Sequence, residues 1–503
     1  MLESLFIVAL VFLVYCRTFN FGIIVDDMRR HEGIKKGDLE AGKIWRRIEK
    51  RLYGFGTLAY KNKDGKWTVN YVHDRILTTS LYALICVLVY WAFGHNQISL
   101  LAAVLCALNP ANNQVSLWAN GRRYAINIIL VLLMVLIGPW GLFLYPLTAI
   151  FQVTALLSPI IYGPGALVAL LPILYLSWPD LKGKIKARMD VLHNSDMRDF
   201  TLKKLIPITK VFGLYMKKMV FPGRTMMIYP DLFYWGMTEK GNKDAYSFNA
   251  SFYFGLTCFV ASLAVAVVLI KSSMLWLWVF TILAVLQWSG FLTITQVYAD
   301  RYIALPSVFM SFFVAYFAMT YLGAYGLPVL ALLAGYYWAN LQVTQLMYKD
   351  IIAFWAYHEF FDRGGPKIRE FKATNMIQVG DPLAAWETAK EGLKVNPDDF
   401  KLNLIASNCM HIMGDKESCL FYLRKARMNR YIGQDNVIKS FQRGIFGIDI
   451  DEEMSQIRAG TSKMPAEQRK NLKDIFDCLE GVVEKRPFPQ VQLSKRPKPT
   501  GAK

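Results

Sequence analysis

Acidic side chains are the scarce class in this 503-residue chain: 38 Asp and Glu stand against 57 Lys and Arg, a formal charge of +19. Such an imbalance calls for an anionic partner or an anionic surface. No recognisable nucleic-acid module accompanies the basic residues, which favours lipid headgroups and argues against nucleic acid. Seven cysteines, an odd number without paired metal-ligand spacing, argue against a disulfide framework and against a zinc site. Cys16, Cys86, Cys106 and Cys258 fall in apolar segments, most simply as small core residues. The first apolar run lacks a small-residue cleavage site and has only Glu3 ahead of it, so it reads as a retained anchor.

What is abundant is apolar. A hydrophobic content of 54%, an aromatic content of 14% and a mean hydropathy of +0.27 describe a polytopic membrane protein with soluble parts. Apolar stretches of about 18 to 22 residues, long enough to cross a bilayer core, recur at roughly 5–25, 76–93, 252–271, 274–295, 301–323 and 325–345. The block 98–178 reads as four or five shorter crossings or re-entrant pieces, broken at Asn109-Pro110, Gly138-Pro139, Ser158-Pro159 and Gly163-Pro164-Gly165. Basic clusters lie beside these runs, from Arg29 to Arg51 and from Lys182 to Lys218. The expected class is therefore all-α: a polytopic transmembrane helical bundle of about 10–11 spans over 1–350, with a first external loop at 26–75 and a surface helix near 203–222.

Beyond about Asp350 the chain becomes polar and helical in periodicity, which predicts a separate soluble helical domain over 351–485. Gly380-Asp381 opens one helical pattern and Gly414-Asp415 another, 34 residues later. Small residues Ala384, Ala385 and Ala389 beside Trp386, then Asn396-Pro397, complete a pattern of the tetratricopeptide kind. Trp386 reads as repeat core. The Pro- and Lys-rich tail, 486–503, has the composition of a disordered segment.

Four polar elements interrupt the membrane part. Asp26 and Asp27 sit where the first apolar run meets a long loop; paired acids can divide general-base and orienting roles, although a solvated boundary would look the same. Asn109-Pro110 through Gly121-Arg122-Arg123-Tyr124 brings amides and arginines that need partners. Val211 to Pro222, with Lys217 and Lys218, suggests a helix lying along the membrane surface, its lysines on lipid or at the surface. Asp300-Arg301-Tyr302 with Leu305-Pro306-Ser307 puts a guanidinium at a helix end, where it could grip a lipid phosphate bidentately; an internal pair with Asp300 is the competing reading.

In this order the elements resemble the transmembrane and tetratricopeptide-repeat O-mannosyltransferases and their bacterial relatives, within the GT-C superfamily of lipid-linked-sugar glycosyltransferases. Asp26-Asp27 looks like that superfamily's catalytic loop, and Asn109-Pro110 through Arg122-Arg123 like its proline-to-glycine-arginine segment. Leu214-Tyr215 with Phe221-Pro222 is similar to its surface helix, and Asp300 to Ser307 to its arginine-tyrosine and leucine-proline-serine motif. The resemblance implies transfer of a sugar, mannose by the family's suggestion, from a polyprenyl-phosphate donor to a hydroxyl acceptor, on protein, with inversion. Asp26 or Asp27 would be the base. Arg301, Tyr302 and Arg122 or Arg123 would bind the donor phosphate. No cofactor is required on this reading, although a divalent cation could sit near Asp26 and Asp27. Expected partners are the lipid-linked sugar, membrane lipids and a protein held by the repeats. The expected location is a bacterial plasma membrane or the endoplasmic reticulum, with the site facing periplasm or lumen. A catalytically inactive scaffold and a lipid-linked-glycan ligase or polymerase are the alternatives.

One conflict stands. With Asp26 outside, five crossings between 76 and 178 leave Lys182 inside, but crossings at 252–271 and 274–295 would then put Arg301 opposite the aspartates. A traverse by 211–235 is the preferred remedy, a re-entrant piece within 139–178 the other.

Overall fold

The structure is a computed structural model that describes residues 1–21, 59–61, 67–118, 121–151, 153–172, 204–223, 247–291, 300–362, 366–378, 380–428, 435–447, 450–459, 461–462 and 464–480. Among the described residues the regular structure is helical except for one short hairpin, β1 (Ala59–Lys61) antiparallel to β2 (Trp67–Val69). The chain divides into two compact units, Met1–Arg363 and Gly364–Lys503.

In the first unit the helices are α1 (Leu2–Tyr15), α2 (Tyr71–Ala92), α3 (Gln97–Leu108), α4 (Arg122–Ile137), α5 (Leu205–Val220), α6 (Ala250–Val268), α7 (Leu275–Leu286), α8 (Asp300–Tyr321), α9 (Gly326–Leu346) and α10 (Ile351–Asp362). Among the described residues, four segments are long and apolar enough to cross a membrane: Tyr71–Ala92, Arg122–Thr148, Ala250–Val268 and Asp300–Tyr321. Their starts are written locally. Asn70 accepts the His73 backbone N–H at 3.0 Å to cap α2, and Asn96 and Ser99 form a reciprocal capping box on α3. Between them the chain reverses through Gly94 and His95, both at positive φ. After α4, Gly138 at φ +65° and the following proline end the helix. The chain then continues in short pieces, 3₁₀ turns at Gly138–Leu144, Val153–Tyr162 and Pro164–Ala169 with one α-helix between them, Tyr145–Phe151. Within the described part of the block 98–178, the 27-residue apolar segment Arg122–Thr148 is thus itself broken at Gly138, and shorter pieces follow it.

Helix direction follows from which termini touch. Arg17, just past α1, donates to the Gln345 side chain at 2.7 Å and to the Gln342 carbonyl, so the end of α1 meets the end of α9. Arg75 at the start of α2 reaches the Tyr348 carbonyl just beyond α9. Arg122 at the start of α4 pairs with Asp74 at the start of α2. Lys218 near the end of α5 pairs with Asp300 at the start of α8. These contacts all lie at one end of the bundle, the polar end. At the opposite end the Trp91 indole donates to Ser4, and Phe93 stacks on Phe312 with ring centroids 3.9 Å apart. Helix α1 ends where Arg301 lies; the aspartates whose side was in question lie outside the described residues. Helix α5 covers only the start of the traverse expected of 211–235. Gly213 in its middle abuts Gly255 of α6, and Lys218 in its last turn meets Asp300 at the start of α8. Residues 224–235 lie outside the described residues.

In the second unit, α11 (Pro366–Gln378), α12 (Pro382–Val395), α13 (Phe400–Met413) and α14 (Lys416–Met428) pack as consecutive antiparallel hairpins, followed by Asp435–Phe446, Ile450–Arg458 and Ala466–Glu480. Gly380 and Gly414, 34 residues apart, adopt φ +85° and +84°. Asp381 N–H returns to the Met376 carbonyl and Asp415 N–H to that of Met410, both at 2.9 Å, closing the preceding helix in the Schellman manner. The same two aspartates then cap the next helix, accepting from Ala384 and Ser418. Trp386 lies in the core between the hairpins, with Ala385, Ala389, Leu402, Ala406 and Met410.

Candidate functional site at the polar end of the bundle

The polar segment after α3 is buried. Asn109, Asn112, Asn113, Gln114 and Ser116 are all sealed within the first unit, although none is apolar. Burial of amides is tolerable only where they are hydrogen-bonded. Asn109 accepts the Ala111 N–H at 2.9 Å and donates to the Met219 carbonyl at 3.2 Å, tying this segment to the end of α5. Asn112 accepts from Ser307 of α8 and donates to the Cys106 carbonyl. The Asn-Pro and Leu-Pro-Ser motifs therefore touch each other. Gly121 completes the turn: a Cβ there would collide with the Gln114 carbonyl.

This turn sets the two arginines at the head of α4 on different errands. Arg122 is 1% exposed and holds the Asp74 carboxylate at 2.7 Å, with further bonds to the Asp74 carbonyl and the Thr78 hydroxyl, both at 3.1 Å. It joins α4 to α2. Arg123 instead donates to the Tyr124 hydroxyl at 2.9 Å and lies over that ring.

Arg301 opens α8 beside them. Its guanidinium sits 4.9 Å from the Tyr302 ring centroid and 5.9 Å from that of Trp118, bonds the Tyr302 hydroxyl at 3.4 Å, and is within electrostatic reach of Tyr124 and Arg123. Tyr302 is stacked on Trp288 at 4.3 Å and an angle of 3°, which holds the phenol in place. The competing pair of Arg301 with its neighbour Asp300 is not what the described contacts show. Adjacent helical residues point about 100° apart, and the Asp300 carboxylate goes to Lys218 at 2.9 Å with both side chains under 8% exposed. The paired lysines of α5 accordingly divide: Lys217 is exposed, whereas Lys218 turns inward and makes no surface contact. Cys16 is a further correction, since it is exposed, while Cys86 and Cys106 are buried.

The result is two guanidiniums, Arg123 and Arg301, among the hydroxyls of Tyr124 and Tyr302 and the rings of Trp118 and Trp288. Planar, permanently charged groups braced by aromatic faces suit an oxyanion with several acceptor oxygens. Asp26 and Asp27 lie outside the described residues. Among the described residues no three His, Cys, Asp or Glu gather as metal ligands. An apolar groove of about 480 Å³, lined by Trp278, Phe313, Phe317 and Tyr321, lies in the half of α8 remote from Arg301.

Sequence reasoning found Arg301, Tyr302, Arg123 and the Asn-Pro segment but passed over Asp74 and Trp288. Asp74 carried a signal: it is the sole acid of a 22-residue helix long and apolar enough to cross a membrane, and an ionisable group there needs a partner. Compared with known families, curated proteins and solved structures, the chain matches none, so its chemistry is read from this geometry.

Proposed function

We propose that the chain is a membrane glycosyltransferase of the GT-C kind, moving a sugar from a polyprenyl-phosphate donor to a hydroxyl on a protein acceptor. The observation that carries this reading is the Arg123–Arg301 cluster, at the end of the bundle where α1 also ends. The two guanidiniums would hold the phosphate and stabilise the charge that grows on it as the glycosidic bond breaks. Asp26 or Asp27 would take the acceptor proton as its oxygen attacks the anomeric carbon, the other acid orienting acceptor or donor. A single displacement inverts the anomeric centre. Mannose is the sugar that the resemblance suggests. The site would face lumen or periplasm, and no metal step is needed.

The matched turns at Gly380-Asp381 and Gly414-Asp415 support reading the second unit as tetratricopeptide-like, with a concave face for a polypeptide. The test is incubation of purified protein with several polyprenyl-phosphate sugars and acceptor peptides, following release of lipid phosphate. Donor-dependent release that disappears in Asp26→Asn, Asp27→Asn and Arg301→Gln supports transfer. Intact partner binding with no release by the wild type would make the protein a scaffold.

A further inference from the structure

The anion site described above includes a donor without an acceptor. Trp118, whose carbonyl takes the Gly121 N–H at 2.8 Å, is 4% exposed, and its indole N–H meets no hydrogen-bond partner. Such groups are uncommon, because a buried donor left unpaired costs more than a paired one contributes. The bundle satisfies an indole elsewhere: Trp278, 5% exposed, donates to the Ser262 carbonyl at 2.9 Å. Among the described residues of the first unit Trp355 is likewise unpaired, but its ring packs against Phe354 and His358. The Trp118 ring has a cation for neighbour, the Arg301 guanidinium, 5.9 Å from its centroid. A guanidinium and an indole N–H are both donors, so neither can satisfy the other. An acceptor that reaches Arg301 with one oxygen can take the indole N–H with another.

We propose that the Trp118 indole N–H is a direct donor to the anion held by Arg301 and Arg123, an anion of the phosphate class with more than one oxygen free to accept. The contact rests on the anion-binding reading of Arg301 and adds a residue to it. Guanidiniums attract an anion by its charge; a neutral donor fixed in the plane of a buried ring takes an oxygen only at one position, so it selects for shape. In the free protein this N–H has no protein partner to lose. Removing it should therefore leave the fold as stable as before and weaken the complex, the reverse of what loss of a structural hydrogen bond does.

The experiment uses the full chain in nanodiscs, with a fluorescent prenyl monophosphate as probe and inorganic phosphate as competitor. Trp118 is replaced by benzothienylalanine, which keeps the bicyclic shape and puts sulfur where the N–H was. Probe affinity should fall on the order of tenfold, while Tm without probe stays level or rises. A second readout uses the wild type: the indole N–H resonance of Trp118, assigned by its disappearance in Trp118→Phe, should move when probe is added and stay still in Arg301→Gln. Displacement of the probe by inorganic phosphate, with a similar loss of phosphate affinity in the isostere, supports the contact and names free phosphate as the source of the anion. A probe that phosphate leaves in place, its own affinity falling in the isostere, supports the contact with the lipid-borne group as the source. An affinity change below about twofold in the isostere, with binding still lost in Arg301→Gln, overturns the indole contact and keeps the anion reading. Binding that survives Arg301→Gln overturns both. A fall of several degrees in the Tm of the probe-free isostere would reveal an internal partner for the N–H and also sink the proposal.

Discussion

Replacing Arg122 by Met should be among the most damaging single changes in the first unit. The guanidinium is 1% exposed, the Asp74 side chain 7%, and the ion pair at 2.7 Å is reinforced by bonds to the Asp74 carbonyl and the Thr78 hydroxyl. Removing one member of such a pair leaves the other charge in a site that cannot hydrate it, at a cost of about 3–5 kcal/mol. For a unit of this size that is a fall in Tm on the order of 5–10 °C. Asp74→Asn in the same background removes the stranded charge. The double variant should therefore recover about 2 kcal/mol of what the two single losses would sum to. Thermal unfolding of all four proteins in one detergent measures this cycle. A loss below about 1 kcal/mol in Arg122→Met, or losses that simply add, would show that the pair is solvated and that Arg122 is not the tether between α2 and α4.

Two further changes probe other joints. Gly255→Ala places a methyl against the Thr209 carbonyl, forcing α5 and α6 apart; it should cost about 1–3 kcal/mol and lower the yield of folded protein, whereas Gly335→Ala, with open space around it, should not. In the second unit, burial pushes the Cys409 thiol up to about 12. The unfolded thiol ionises near about 8.5, so the stability due to the buried neutral form is complete below that pH and is lost as pH rises toward the folded value. Resistance of residues 364–503 to chemical unfolding, followed in the full chain, should weaken between those limits and do so less in Cys409→Ala; identical pH profiles would refute the assignment. At pH 8 Cys16, which is exposed, should be alkylated long before Cys409.

The helical class, the apolar segments and the break in character after Asp350 follow from the sequence, because each is a matter of local hydrophobic pattern over one or two turns. The glycine-aspartate pairs at 380 and 414 belong with them: left-handed glycine and aspartate cap are local chemistry, and the structure closes both helices in the same way. Arg301 and the Asn-Pro segment were legible for a related reason, since polar groups in an apolar context announce that they need partners.

Which partner each takes was not legible. Arg122 and Arg123 are neighbours of one chemical type, yet their side chains leave α4 about 100° apart, so one is spent on Asp74 and the other meets Tyr124. Lys217 and Lys218 divide in the same way, and Asp300 looks past its sequence neighbour Arg301 to a lysine some eighty positions earlier. Which helix ends meet was not legible either: Arg17 after α1 reaches Gln345, and Arg75 of α2 reaches Tyr348, contacts that a count of apolar segments does not give. Local pattern determines which groups must be satisfied; only the packing of helix ends against one another decides by whom.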